Sequence, residues 1–280
     1  LLAGVKNEAI GDFVRFQMDA NQATARADQA LRDLKVNPAT YLHAATITYT
    51  FNDYTNEYLR RTIGIAAANR VYRDQVPSAF WTIRYFRDSQ NEEYMVVVKP
   101  DGTLHSVHHT LDEKAPGANL SKEEALARAE AYLRDEKKMD LSSWKLVDTH
   151  SDQKPARTDH LFEWEQIASL DPSSGQQGAH IRVQLHVQGD EVSGYRIFIK
   201  IPQAWLDAES RTTPAQLAQI FGRGIAIAAI LIAVLVILFR RLKHPDLSRV
   251  PWRRLTKWSL WVLAATIVIV ANQIPQLLES

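Results

Sequence analysis

Through Pro202 the apolar residues of this chain recur at short intervals between charged ones, and beyond it they run together. GIAIAAILIAVLVILF, residues 224–239, carries no charge, and neither does WSLWVLAATIVIVANQIPQLL, residues 258–278. A helix needs ~20 predominantly apolar residues to cross a bilayer, so transmembrane helices are expected at 222–240 and 258–278. Around the connecting loop, 241–257, stand Arg240, Arg241, Lys243, Arg249, Arg253, Arg254 and Lys257 against the one acid Asp246. Short loops rich in Lys and Arg stay in the cytoplasm. That places the long N-terminal region on the extracytoplasmic side of the cytoplasmic membrane, reached through a juxtamembrane linker at 203–221. Trp252, Trp258 and Trp261 suit the headgroup level beside the loop.

The polar region repeats itself. ATARADQALRDLK at 23–35 aligns with ALARAEAYLRDEK at 125–137, and the preceding Asp19 with Gln22 aligns with Ser121 and Glu124. Each pair has the capping-box spacing, in which a short polar side chain and a Glu or Gln three residues on satisfy each other's free amides. Ala125, Leu126, Ala129, Tyr132 and Leu133 form one apolar stripe at helical spacing, with the charges opposite. Two amphipathic helices are expected, one opening each half of a duplication.

After each helix the period changes to two. The first half continues with YLHAATITYTF, an insert near 59–79 that adds a short helix, FWTIRYFR, and a hairpin turning at Pro100-Asp101-Gly102. The second continues with SSWKLVDTHS, DHLFEWEQ, and a hairpin turning at Gly189-Asp190, with Ile181, Val183 and Leu185 alternating along it. The expected fold is α+β: two repeats, 19–112 and 113–202, each a helix across an antiparallel sheet of about three strands. A sheet that small cannot bury both faces under one helix. The repeats are therefore expected to pack as one block about a rough two-fold. The charged insert and the linker SLDPSSGQQGA would each cover an edge, and a remaining edge would accept a peptide strand. Residues 1–18, beginning at Leu rather than Met, read as the far side of a cut, following a transmembrane helix in one reading.

Composition narrows the chemistry. A net charge of +1 over 280 residues attracts no polyanion, and the absence of cysteine excludes thiol catalysis, disulfides and Cys-ligated zinc. Glu123, Glu124 and Arg128 spell Glu-Glu-x-x-x-Arg, but the twin positions of the two glutamates are Asn21 and Gln22, which carry no acid–base or metal chemistry. Glu124 and Arg128 have ion-pair spacing instead, worth ~0.2–0.5 kcal/mol. In HSVHH, strict alternation puts His105 and His109 on one strand face and His108 on the other. Two same-face histidines without a nearby carboxylate make an incomplete metal site. His150 and His160 flank a polar loop without ligand spacing. The aromatic–arginine strand Phe80 to Arg87 could stack a ligand or nucleic acid, but such a strand is more often half-buried with one aromatic face in the core. No G-x-S-x-G, G-x-G-x-x-G or P-loop is present.

A helix over an antiparallel hairpin with a short Gly turn, twice between residues 19 and 202, resembles the PepSY-like domains of bacterial extracytoplasmic proteins. The whole order resembles the N-terminal half of CPBP-type (CAAX-protease-like) intramembrane proteases: GIAAANRVYRDQVPSAFWTIRYFR, an apolar run, RRLKHPDLSRVPWRRLTKW and ANQIPQLLES. That family's catalytic Glu and His lie on transmembrane helices, and neither apolar run here contains either residue. The resemblance implies a non-catalytic regulatory, sensing or polypeptide-binding region, with no catalytic, cofactor-binding or metal residue carried over. Its partners would be the lipid bilayer and a polypeptide or the protease's own catalytic half, and not nucleic acid. The alternative is a structural subunit whose ectodomain contacts other chains of a membrane complex.

Overall fold

The computed structural model describes residues 8–171 and 177–210, and beyond them only Ile227, Leu231, Val234 and Leu235. The chain divides into two compact units, Leu1–Ser210 and Arg211–Ser280. The expected transmembrane runs and basic loop lie outside the described residues, apart from those four positions. Among the described residues no helix is long and apolar enough to cross a membrane.

The first unit is α+β, with two antiparallel sheets of four strands each, one more per sheet than the sequence pattern predicts. Helix α1, Ala20–Asp33, starts at a capping box: the Gln22 amide donates to Asp19 Oδ1 (2.9 Å) and the Asp19 amide to Gln22 Oε1 (3.0 Å). Helix α4, Lys122–Asp135, uses Ser121 and Glu124 in the same way. After the two helices Lys35 and Lys138 take positive φ, 63° and 54°. The next amides turn back, Val36 to the Leu31 carbonyl and Met139 to that of Leu133. Duplication thus extends from cap to terminus.

Strands β1 (Leu42–Tyr49), β2 (Ala79–Phe86), β3 (Glu93–Val98) and β4 (Leu104–Thr110) form the first sheet in that order. Strands β5 (Trp144–Gln153), β6 (Thr158–Gln166), β7 (His180–Gln188) and β8 (Glu191–Lys200) form the second. Each helix buries small residues on one sheet face, so helix and sheet approach closely. Ala23, Ala27 and Leu31 meet Ile83, Tyr85, Val96 and Val98. Ala125, Ala129 and Leu133 meet Phe162, Trp164, Val183 and Leu185.

Between β1 and β2 the insert forms two helices, α2 (Asp53–Thr62) and α3 (Ile65–Asp74), with Gly64 at φ 78° between them. The insert packs on the second repeat. Its Tyr58, Leu59, Ala68, Val71 and Tyr72 share a core with Ala179, Ile181, Ile199 and Ile201 of the second repeat. An amphipathic helix pair must bury its apolar face somewhere, and the ends of β7 and β8 supply the surface. A short helix, α5 (Gln203–Ser210), adds Trp205 and Leu206 to that core. This clasp joins the repeats at the C-terminal end of β8.

Candidate functional site

The last strands of the two repeats, β4 and β8, lie side by side at the seam. Rising numbers on β4 meet falling numbers on β8: His105 packs on Tyr195 (ring centroids 5.5 Å), His108 on Gly194, and His109 bonds Glu191. Equivalent strands meeting antiparallel is the arrangement of a local two-fold. A Cβ at position 194 would stand 3.3 Å from His108 Nδ1, so glycine there lets the two strands approach.

The strict alternation expected for HSVHH is wrong, because β4 is bulged. Val97 pairs with Ser106 but Val98 with Leu104, leaving His105 without an opposite residue. A bulge re-aims the side chains around it. The His105 ring consequently stacks near Phe80 (4.7 Å), on the sheet face away from α1, while His109 lies against Tyr94 on the helix face (4.0 Å, 10° between planes). Strand β8 has its own bulge at the matching place, Ser193, between the Val187–Val192 and His186–Gly194 pairs.

The three histidines have different electrostatic surroundings. Burial, with Lys137, Lys99 and His108 close by, pushes His105 down to about 3. Burial also lowers His108 and His186. Lys137 donates to the His105 carbonyl and lies over the Tyr195 ring at 4.4 Å; burial brings it down to about 8. His109 goes the other way. Burial disfavours its charged form, but hydrogen bonding and charge from Glu191, then Glu92, raise it above the usual histidine value. Its Nδ1 is 2.9 Å from Glu191 Oε1 and its Nε2 is 3.1 Å from Glu92 Oε1. Sequence reading missed both carboxylates: Glu191 is distant in the chain, and Glu92 precedes the strand. Among the described residues no group of three or more His, Asp and Glu side chains could hold a metal ion.

The other candidates separate in the same geometry. Glu123, Glu124 and Arg128 are all exposed. Glu124 and Arg128 take separate partners instead of the expected ion pair: Glu124 turns back to Ser121, and Arg128 donates to the Asp190 carbonyl in the β7–β8 turn (3.0 Å). Its twin Arg26 donates to the Gly102 carbonyl in the β3–β4 turn (3.2 Å). His160 is buried and structural, bonded to Ser151 Oγ (2.8 Å) and the Leu120 carbonyl (3.0 Å), whereas His150 is exposed. The strand Phe80 to Arg87 is half-buried, with Ile83 and Tyr85 in the core, Arg84 paired with Glu93, and Arg87 held over Tyr41.

Strands β1 and β5 are the outermost of their sheets, and among the described residues no strand pairs with their outer sides. β1, LHAATITY, pairs with β2 in unbroken register from Leu42–Phe86 to Tyr49–Ala79 and contains no Asp, Glu, Lys, Arg, Pro or Gly. Leu42, Ile47 and Tyr49 on it are 54 %, 43 % and 57 % exposed. β5 carries Lys145, Asp148 and Asp152 and is bulged at Val147. Searches of protein-family models, curated proteins and solved structures find no match to this chain.

Proposed function

We propose that this chain is a membrane-anchored extracytoplasmic region that binds a polypeptide, the regulatory and non-catalytic part of a CPBP-like intramembrane protease. The uncharged, regular β1 edge carries this reading. An exposed edge strand is a template for another chain, and proteins block such edges with charge, proline or bulges. β5 has two of these devices and β1 has none, which fits an edge kept open for strand addition. The anchor and orientation rest on the two apolar runs and the basic loop between them.

The absence of native cysteine allows a clean test in intact cells. With a membrane-impermeant reagent, Thr46→Cys on β1 should react or cross-link to a neighbouring polypeptide, Thr149→Cys on β5 should react without cross-linking, and Ser248→Cys should not react. Adding Ala44→Lys to the β1 variant should abolish the cross-link while leaving the fold intact. Equal cross-linking from both edges, none from β1, or a product indifferent to Ala44→Lys would refute the reading. Labelling of Ser248→Cys would reverse the orientation.

A further inference from the structure

Among the contacts that join the repeats, two of different chemistry stand at opposite ends of β8. The clasp, at Ile199 and Ile201, is an apolar core with an exposed Arg61–Glu209 ion pair at its rim. The other end, at Glu191, is held by His109. With a strand rise of about 3.3 Å per residue, the two attachments stand some 30 Å apart.

His109 is an unusual joint. Its side chain is 8 % exposed, and carboxylates from two directions face its two nitrogens, Glu191 on β8 and Glu92 before β3. Carboxylates accept and do not donate when ionised, and a neutral imidazole has one N–H. Only the imidazolium satisfies both partners. Tyr94 stacks flat on one face of the ring. We propose that His109 is a proton-operated latch between the repeats: charged, it ties β4 to β8, and neutral, it lets that end of the seam part while the apolar clasp holds the other.

The direction of the response follows from the surrounding charges. Glu191 and Glu92 hold the folded His109 above its unfolded value of about 6.5. A raised histidine contributes its full stabilisation below the unfolded value and loses it as pH rises through the folded value. The latch is therefore closed in acid and loosens as pH rises through the raised value of the folded histidine. The other ionisable groups along the seam do not mimic this. His105, His108 and His186 are lowered by burial, so they give up their protons at lower pH than His109 does. Lys137, depressed to about 8, has the opposite sign: its burial cost disappears as pH rises through that value. Tyr94, beside the ring, is raised by burial and by the charges of Tyr41, Glu92 and Glu191, and Arg87 only partly opposes this, so it stays neutral. The inference stands whether or not β1 accepts a strand.

Hydrogen–deuterium exchange of the full-length chain from about pH 6 to about pH 8, corrected for intrinsic rates, tests the latch. Amides of β4 and the Glu191 end of β8 should lose protection as pH rises, by up to about tenfold for each unit by which folded His109 exceeds its unfolded value. Those of β2 and β6 should not. Glu191→Gln keeps an acceptor but removes the charge, so it should shift the loss to lower pH, and His109→Gln should remove the pH dependence. Protection in β2 and β6 shows that each variant is folded, and if His109→Gln fails this check, Glu191→Gln and Glu92→Gln carry the test. Seam protection independent of pH in the wild type, or an unaltered response in a folded variant, would overturn the proposal.

Discussion

In the first repeat Arg26 runs from α1 to the Gly102 carbonyl, and in the second Arg128 runs from α4 to the Asp190 carbonyl. The hairpins carry matching bulges at His105 and Ser193, and the helices matching capping boxes. The passages from first to second strand have nothing in common. Repeat one spends them on two helices that reach over to its neighbour. Repeat two turns tightly around Arg157, the largest wholly buried side chain among the described residues. The outer edges differ too, β1 bare and β5 charged and bulged. What a repeat needs in order to fold is duplicated; what joins it to its twin or to another chain has diverged.

The largest effect that would expose this difference is at Arg157. The side chain is 1 % exposed, pairs with Asp159 (2.8 Å), and donates to the Asp112 and Ala115 carbonyls (both 2.8 Å) in the segment linking the repeats. Gly117 lies so close that a Cβ there would come within 3.0 Å of Arg157 Cβ. Removing one partner of a buried ion pair leaves the other charge uncompensated, at a cost of about 3–5 kcal/mol. Arg157→Ala should lower stability by that amount in denaturant titration. In repeat one Arg84→Ala, which breaks an exposed pair with Glu93, should cost less than about 1 kcal/mol. Near-equal losses would show that the tight turn of repeat two is not organised by its arginine.

Most of the shared part was legible in the sequence, because it is local. Capping spacing, an apolar stripe at helical spacing and a turn dipeptide each act within a few residues, and chain duplication displays them twice. What escaped was set by tertiary packing. YLHAATITYTF and SSWKLVDTHS were visible as strands, but their full count in each sheet depends on pairing partners far along the chain. The bulge that re-aims His105 depends on the register with Val97 and Val98, which alternation within HSVHH cannot reveal. Arg157 sits in SDQKPARTDH, a sequence indistinguishable from an exposed polar loop. The destination of α2 and α3 was hidden for the same reason, since their apolar face is legible and the surface it meets is not.

A smaller effect should be equal in both repeats. Arg26 and Arg128 are exposed, so each staple contributes one modest hydrogen bond, about 1 kcal/mol. Arg26→Ala and Arg128→Ala should lower the midpoint of thermal unfolding by similar amounts, and the double variant by their sum, because the two turns share no partner. Unequal losses, or strong coupling between them, would mean that the staples are not equivalent devices and would weaken the case for a common origin of the repeats.

The smallest expected effect answers the question posed by Glu-Glu-x-x-x-Arg. Glu123 is exposed on the first turn of α4, Glu124 is engaged with Ser121, and Arg128 with the hairpin turn. The three side chains thus point to three different tasks, all structural, and the twin positions Asn21, Gln22 and Arg26 perform the last two without a carboxylate. Glu123 has only its favourable position near a helix N-terminus to lose, worth about 0.3–1 kcal/mol at most on an exposed site. Glu123→Gln should therefore fall within about 0.5 kcal/mol of the parent in denaturant titration and leave any activity of the full-length protein unchanged. An inserted, folded Glu123→Gln protein that loses activity would mean that this carboxylate takes part in chemistry that its amide twin in repeat one cannot perform. The two helices would then be alike in structure and different in purpose.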